Sequence, residues 1–278
     1  MLDLQSAPHF SGRLCVALEI KNMKRIFLLL ISLVFSFKAI AEEPGYWLMN
    51  YYKSPNPQDF VAEVTKLSKS GLLGNPKHKE NIAVFLSRIL ASHPENTNEW
   101  LQSLKSLNKT DMEPVFYAAW LADTKESKEY LKSIGATEAL NTKPTNYLQA
   151  EIQSPNTLDA LWSYFYATGA KEPVRRIVSA LNYAEYSGSL EAYKTSKQTE
   201  EDRRKAILDS IFQAARWSLE SNARNEPKVG EICGNILKDP SITKYEQLWL
   251  GVILSKAIPD KYKMVQVKAG EWRLETYK

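Results

Sequence analysis

The stretch TEEDRRKAILDSIFQAARWSLESN, residues 199–222, decides the fold. Thr199 is a favourable N-cap, and the three acidic residues after it suit the positive end of a helix dipole. Asp202 stands three residues after the cap, at the capping-box position. Apolar and small residues then recur at helical spacing, which predicts the longest helix of the chain. Its predicted packing face is formed by Ile207, Ile211, Ala214, Ala215 and Ser218.

Four further stretches have the same helical period. TKYEQLWLGVILSKAIP, residues 243–259, predicts a helix that ends before Pro259. The predicted helices TNEWLQSLKSLN, DMEPVFYAAWLAD and TKESKEYLKSIG are shorter, with Gly135 as the stop of the last. Their predicted caps are Thr97, Asp111 and Thr124, and the predicted packing face of residues 243–259 holds Tyr245, Leu248, Trp249 and Val252.

The helices are arranged in similar pairs. Residues 118–135 align loosely with residues 164–181, because in both an aromatic helix is followed by a polar turn and a second short helix. Trp120 and Phe165 are about 45 residues apart, within the period of HEAT-like repeats. We therefore predict an all-α fold, a repeat-like stack of antiparallel helical hairpins of the HEAT or TPR kind.

A Ser-Pro-Asn-x-x-Asp frame occurs twice, as SPNPQDF (residues 54–60) and SPNTLDA (residues 154–160). The frame is either a ligand signature or the entrance of a helix. The second interpretation is favoured, because Asn56 and Asn156 are suitable N-caps and each is followed by an apolar stripe. Asp59 and Asp159 then fall at the third helical position, inside the first turn.

The ends of the chain depart from the helical pattern. Residues 42–56, rich in Pro, Gly and aromatic side chains, predict an extended N-terminal arm pinned across the helical domain, residues 57–260. The tail, residues 261–278, alternates with period two around Gly270 and predicts a small C-terminal β-hairpin. The alternating residues are Val265, Val267, Trp272, Leu274 and Thr276.

Residues 23–41 have the organisation of a bacterial signal peptide. A basic start at Met23-Lys24-Arg25 precedes an apolar run at residues 26–37 and the small-residue site Ala39-Ile40-Ala41. The run is shorter than the roughly 20 residues of a transmembrane helix. We expect cleavage after Ala41, residues 1–22 being an upstream extension. No cysteine follows the run, so no lipid anchor is expected, and a periplasmic or secreted protein is predicted.

Cleavage removes most of the positive charge. Residues 1–41 hold five of the 36 basic and two of the 32 acidic residues, so the net charge falls from +4 to +1. A nearly neutral chain gives no electrostatic reason to expect nucleic acid as a partner. The predicted mature chain does not span a membrane.

The inventory of reactive side chains is short. Cys233 is the only cysteine of the predicted mature chain and lies on an apolar helical stripe, which favours a buried structural thiol. His78 and His93 are too far apart for a zinc pair, so no metal is expected. Phosphate-binding, dinucleotide-binding and nucleophile-elbow motifs are absent from the sequence, and no cofactor is predicted.

One fragment is similar to a known family. Glu220-Ser221 resembles the Glu-Ser of soluble lytic transglycosylases, exported helical enzymes that cleave peptidoglycan with a single acid–base glutamate. Residues 234–236, GNI, are similar to another of their short motifs, whereas the Gly-Leu-Met-Gln run of the family is absent. The resemblance implies a catalytic Glu220. The alternative, which we favour, is a solvated carboxylate near the end of a helix.

Two groups of side chains are weaker candidates for binding. Tyr164 and Tyr166 stand on the helix DALWSYFYATG, outside its apolar face, and offer a stacking surface for sugar or peptide. Its other aromatic residues are predicted to be core. The densest basic stretch offers an anion groove, although neighbouring acids favour a salt-bridged solvated face. It contains Arg175, Arg176, Arg203 and Arg204.

These observations favour an exported, non-enzymatic helical protein that binds another protein or a component of the cell envelope. Helical stacks present extended concave surfaces to partners. The alternative is a cell-wall-active hydrolase that uses one acidic residue, Glu220.

Overall fold

The computed structural model describes residues 2–3, 45–195, 198–268 and 271–277, and the predicted signal peptide lies outside these ranges. The described chain is mostly helical with a small C-terminal sheet, as the sequence predicts. The helices are α1 (Tyr46–Asn50), α2 (Phe60–Lys69), α3 (Lys79–Ser92), α4 (Pro94–Ser103), α5 (Lys109–Ala122), α6 (Lys125–Ser133), α7 (Pro155–Thr168), α8 (Lys171–Ser179), α9 (Ser189–Tyr193), α10 (Glu200–Asn225), α11 (Pro227–Ile236) and α12 (Lys244–Ala257). The strands are β1 (Leu2–Asp3), β2 (Tyr262–Lys268) and β3 (Glu271–Thr276).

Capping boxes fix the starts of three helices. At α10 the Thr199 side chain accepts from the amide of Asp202, whose carboxylate accepts from the amide of Thr199, as predicted. Thr124 caps α6 in the same way, and Thr243 caps α12. With 26 residues, α10 is the longest described helix.

The predicted caps of two other helices are wrong. The α4 helix begins at Pro94, so Thr97 lies inside its first turn, buried, with its hydroxyl donating to the carbonyls of Leu90 and His93. The α5 helix is capped by Asn108, which accepts from the amide of Asp111. Asp111 therefore occupies the third helical position rather than the cap.

The two Ser-Pro-Asn frames are helix entrances with different registers. In the first, Asn56 precedes a 3-10 turn (Pro57–Asp59) that leads into α2, and its side chain bonds to Asp59 instead of capping the backbone. In the second, Pro155 is already the first residue of α7, which makes Asn156 the second helical residue. The predicted N-cap role of Asn156 is therefore wrong. Proline is tolerated at the first helical position, because the backbone N–H that it lacks would have no acceptor within the helix there.

The core consists of two clusters of buried residues. One cluster is built from the N-terminal helices, around Phe60, Phe85 and Leu101. The other is built from α7 to α12, around Phe165, Phe212 and Leu254. They meet where α3, α5 and α7 lie together, because Val84 of α3 and Leu121 of α5 belong to the C-terminal cluster.

Helix α3 packs against both α5 and α7, and it runs in the same direction as α5. Lys79 pairs with Glu113 near the starts of α3 and α5, and Arg88 donates to the carbonyl of Leu121 near their ends. The pairs α3–α4 and α5–α6 lie side by side. The α7–α8 pair, however, does not pack against the preceding pair α5–α6. Helix α7 packs against α3 instead. A continuous repeat-like stack, in which each hairpin follows the last, is therefore not confirmed.

The N-terminal segment is helical, and the predicted extended arm is wrong over residues 46–53. Helix α1 continues into a 3-10 turn (Tyr51–Lys53). Helical geometry places Trp47 and Tyr51 on one side, where their rings meet Phe85 edge-on at 5.0 and 5.8 Å. Burying these rings in the first core cluster stabilises a conformation that the local composition does not favour.

The packing faces of the long helices differ in part from the prediction. Ile211 and Ala215 of α10 are buried as expected, whereas Ile207 is exposed. In α12 the predicted face is wrong, since the buried residues are Glu246, Leu250, Gly251, Ile253, Leu254 and Ala257. Helix α12 carries apolar residues on more than one side, so its sequence does not by itself select the buried face. The Arg175 side chain binds Glu246 and holds the side of α12 that carries Glu246 towards the core.

The C-terminal β-hairpin is confirmed, with β2 and β3 antiparallel and its turn outside the described residues. The two-residue β1 pairs with β3 on the other side. The hairpin packs internally on the helices, where Met264 and Leu274 meet Gly251 of α12 and the Tyr262 hydroxyl lies against Gly234 of α11. Gly234 thus permits a close approach between a helix and the sheet.

Candidate binding groove

A concave, mostly apolar groove of about 460 Å³ opens between α5, α6 and the segment that follows α6. Gly135 follows the C-cap of α6, and its positive φ of 80° turns the chain back towards α5. Small ligands and peptide side chains bind in concave apolar sites of this kind. Its lining residues are Phe116, Tyr117, Trp120, Leu131, Ile134, Gly135, Ala136 and Ala139.

Two stacked rings form one wall of the groove. Tyr117 and Trp120 lie three residues apart on α5, with ring centroids 5.5 Å apart and an interplanar angle of 19°. The Trp120 indole Nε1 donates a 2.8 Å hydrogen bond to the carbonyl of Ala139. This bond holds a 3-10 turn (Glu138–Asn141) against α5 and fixes the orientation of the indole.

A chain of polar contacts starts at the hydroxyl of Tyr117. The Tyr117 hydroxyl lies 3.5 Å from that of Tyr147, which in turn donates a 3.0 Å hydrogen bond to Glu80 Oε1 on α3. Since the proton of Tyr147 is used by Glu80, Tyr117 is the donor between the two phenols. Burial, then the contacts with Tyr117 and Glu80, raise the pKa of Tyr147, so this phenol stays neutral.

A carboxyl group with a raised pKa lies in the second turn of α7. Partial desolvation by the surrounding protein raises the pKa of Asp159, although its side chain still reaches solvent. The nearby charge of His78 opposes this shift. Asp159 is the fifth residue of α7, not the third, so it does not act at the cap. The sequence did not predict the raised pKa of Asp159, because the surroundings of this residue include His78 at the start of α3, about 80 positions earlier.

Glu220 lies on the surface of α10 and lines neither the groove beside α5 nor the depression at the start of α5. Its carboxylate accepts a 2.7 Å hydrogen bond from Arg224 one turn later. This is the geometry of an ordinary i,i+4 ion pair. Gly234 of the GNI segment has the packing role against Tyr262 described above.

The two candidate tyrosines of α7 are used inside the fold. The Arg88 guanidinium stacks over the Tyr164 ring at 5.0 Å. Tyr166 donates to the Asn222 side chain, and burial raises the pKa of its phenol. Both tyrosines are half-buried.

The four candidate arginines form two separate groups. Arg175 binds the buried carboxylate of Glu246, and Arg176 donates to the carbonyl of Ala150 and to Ser179. Arg203 and Arg204 pair with Glu200 and Glu201 on the exposed first turns of α10. The structure thus favours a salt-bridged face for the second group and internal positions for the first.

A polar depression lies at the start of α5. This depression, of about 520 Å³, contains Asp111, whose Oδ2 accepts hydrogen bonds from Ser68 and Asn108.

Within the described ranges, no group of three or more His, Cys, Asp or Glu side chains is arranged to hold a metal ion. None of the described helices combines the length and the apolar character needed to cross a bilayer.

Comparison with models of protein families, with curated proteins and with solved structures found no match for this chain. The groove is therefore interpreted from its own chemistry. Sequence reasoning identified DMEPVFYAAWLAD as a helix but did not select its rings. The signal was present, since Phe116, Tyr117 and Trp120 share one side of α5, but their exposure depends on where the chain runs after α6.

Proposed function

We propose that this chain is an exported binding protein of the bacterial envelope that holds an apolar segment of another protein in the groove between α5 and α6. The observation that carries the proposal is the stacked pair Tyr117–Trp120, which lines an open apolar groove while its indole N–H is already bonded to Ala139. A preformed aromatic surface of this kind suits apolar side chains.

The lining favours a peptide over a glycan. Tyr117 and Trp120 are the only lining residues that carry a polar side-chain atom. A sugar has a hydroxyl group on most of its carbons, and each buried hydroxyl without a partner costs free energy. An apolar side chain requires no such partners.

The lining also favours binding over catalysis at this groove. A hydrolase needs a nucleophile, an acid or a base within reach of its substrate. The residues that line the groove supply one phenol, that of Tyr117, and otherwise only apolar side chains. Export itself is supported by the signal-peptide pattern of residues 23–41.

Site-specific photocrosslinking tests the proposal. A photoreactive phenylalanine analogue replaces Ile134, a groove residue that is 37% exposed, and in a matched control replaces Leu190, which is 42% exposed on α9. In the native envelope we expect a discrete crosslinked protein from position 134, attached through one peptide that mass spectrometry identifies. Filling the groove with Ala139→Phe should abolish the adduct, whereas Ala192→Phe on exposed α9 should not.

Equal labelling at both positions, or adducts that survive Ala139→Phe, would contradict the proposal. The hydrolase alternative has a separate test, the turnover of purified peptidoglycan by the wild-type protein and by Glu220→Gln. Turnover by the wild type that is lost in Glu220→Gln would replace the binding function with an enzymatic one.

A further inference from the structure

We infer that the processed protein forms a symmetric dimer through strand β3, whose outer edge pairs with β3 of a second copy. The inference goes beyond the groove, and it rests on one part of the proposed function, the removal of residues 1–41 during export. It follows from the strand that covers part of this edge, the geometry of antiparallel pairing and the charges along β3.

The outer edge of β3 accepts an extended chain. The sheet has the order β1-β3-β2, so β2 lies along one edge of β3 and β1 along the other. The two residues of β1 lie opposite Trp272 and Glu271, and within the described ranges residues 273–276 have no strand on that side. Cleavage after Ala41 removes β1 and opens the whole edge, whose unpaired N–H and C=O groups form a template for another strand.

Antiparallel geometry limits how two copies of β3 can align. Residues directly opposite each other either both exchange backbone hydrogen bonds or both do not. A two-fold pair therefore places one residue opposite its own copy, and the others follow in order. Centring the pair on Arg273 brings two arginines together, and centring it on Glu275 brings two glutamates together. Both arrangements are unfavourable, because like charges directly opposite each other destabilise a sheet.

Centring the pair on Leu274 makes the charges complementary. Arg273 then lies opposite Glu275 of the second copy, twice by symmetry, and Leu274 meets its own copy. Arg273 and Glu275 form a 2.9 Å ion pair along the strand, with side chains 63% and 36% exposed, so both can also reach a partner. Leu274 lies on the other face of the strand, against Gly251 of α12. The dimer thus combines alternating charges on the outer face with an apolar contact on the helix side.

The pairing is specific to β3 and to the processed chain. Strand β2, at the other edge of the sheet, carries Lys263 and Lys268 and no acidic residue, a pattern that opposes edge pairing. The register centred on Leu274 also places Trp272 opposite Thr276 of the second copy. In the unprocessed chain β1 pairs with Trp272, so β1 and a second copy exclude each other.

Disulfide crosslinking of the protein purified from the envelope fraction tests the inference. Opposite residues of antiparallel strands have Cα atoms about 4.5–5.5 Å apart, a spacing that a disulfide bridges. Under mild oxidation, Leu274→Cys should therefore form a covalent dimer. Met264→Cys is the matched control and should stay monomeric, since Met264 lies opposite Leu274 on β2 and is also half-buried. The wild type, whose Cys233 is buried, measures the background.

Charge reversal tests the register. Sedimentation equilibrium of the wild type should give twice the mass of the processed chain. Arg273→Glu places a glutamate opposite Glu275 of the second copy and should weaken the dimer about tenfold. Lys263→Glu is the matched control, because it reverses the exposed charge opposite Glu275 within the hairpin and should leave the dimer unchanged. Thermal unfolding of each variant checks that the fold is retained.

A monomeric wild type, a dimer that Arg273→Glu does not weaken, or equal crosslinking at positions 264 and 274 would overturn the inference. So would a crosslink from position 274 to a different protein. These outcomes leave the proposed function standing, because binding in the groove is tested separately from Ile134. A purified protein that retains residues 2–3 would overturn the inference and the export proposal together.

Discussion

The hydroxyl of Tyr52 donates a 2.6 Å hydrogen bond to Glu226 Oε2, across 174 positions of the sequence. Glu226 is 8% exposed, and its other oxygen accepts a 2.8 Å hydrogen bond from Lys53. The residue stands at the N-cap of α11, in the turn after α10. These contacts attach the N-terminal segment to the C-terminal half of the chain.

Removing the Tyr52 hydroxyl should destabilise the fold. Tyr52→Phe leaves a mostly buried carboxylate with one partner fewer, and the free energy of unfolding should fall by about 1–3 kcal/mol in urea titrations. Tyr277→Phe is the matched control, because its hydroxyl contacts Glu275 at an exposed site. Equal effects of the two variants would show that burial of the contact does not matter.

The Arg175–Glu246 pair should contribute far more to stability than the exposed arginine pairs. The Glu246 side chain is 2% exposed, and its two carboxylate oxygens accept hydrogen bonds from the two terminal guanidinium nitrogens of Arg175. Arg175→Met leaves a buried charge, at a cost of about 3–5 kcal/mol. Arg204→Met, at the exposed pair with Glu201, should change the unfolding free energy by about 0–1 kcal/mol. A small effect of Arg175→Met would mean that Glu246 finds another partner.

Helix capping distinguishes Thr199 from Asn156. Thr199→Ala removes an acceptor for the amide of Asp202 and should lower the free energy of unfolding by about 1 kcal/mol. Asn156→Ala, for which the sequence predicted a similar loss, should have almost no effect, since Asn156 is an exposed residue inside the first turn of α7. Thermal unfolding of both variants checks this, and a larger loss for Asn156→Ala would restore its capping role.

Alkaline pH should weaken the fold in part through Cys233. Burial raises the pKa of this thiol from 9.0 to about 12. The neutral thiol is favoured in the folded state, so its contribution to stability is complete below pH 9 and decreases as the pH rises towards 12. Burial also raises the pKa values of Tyr52, Tyr147 and Tyr166, which add to the loss.

Comparison of the wild type with Cys233→Ala isolates the thiol. The unfolding free energies of the two proteins should differ by a constant below pH 9, and the difference should change between pH 9 and 12. Parallel curves over that whole range would contradict the assignment. In the native protein at neutral pH, thiol reagents should label Cys233 only as fast as the chain opens.

Processing of the N-terminus should leave a chain that begins at Glu42. The physical basis is the small-residue site Ala39-Ile40-Ala41 after a short apolar run. N-terminal sequencing of the protein from its native envelope fraction checks the site. Ala41→Arg should accumulate a precursor that keeps the apolar run, whereas Glu42→Gln should be processed. A mature protein that retains residues 26–37 would contradict the export proposal.

Local signals predicted much of the helical framework. The caps Thr124 and Thr199, the stop at Gly135 and the hairpin at the tail depend on side chains within a few positions of the backbone groups that they satisfy. The buried stripe of α7 was predicted for the same reason. Such interactions are largely independent of the rest of the fold.

The failures occur where distant contacts compete with local preference. Helix α1 forms although its composition favours extended structure, because the rings of Trp47 and Tyr51 pack against Phe85. Helix α12 presents a different face from the predicted one, because Arg175 binds Glu246. Both partners lie tens of positions away along the chain.

The sequence predicted the helical class and several helix boundaries, since periodicity and caps are local properties. It also predicted the export signal. The order in which α3, α5 and α7 lie together, and the groove lined by Tyr117 and Trp120, were decided only by tertiary packing. The reason is physical: a groove exists only where separate helices leave apolar surface uncovered, and no local pattern records which surface the rest of the chain will cover.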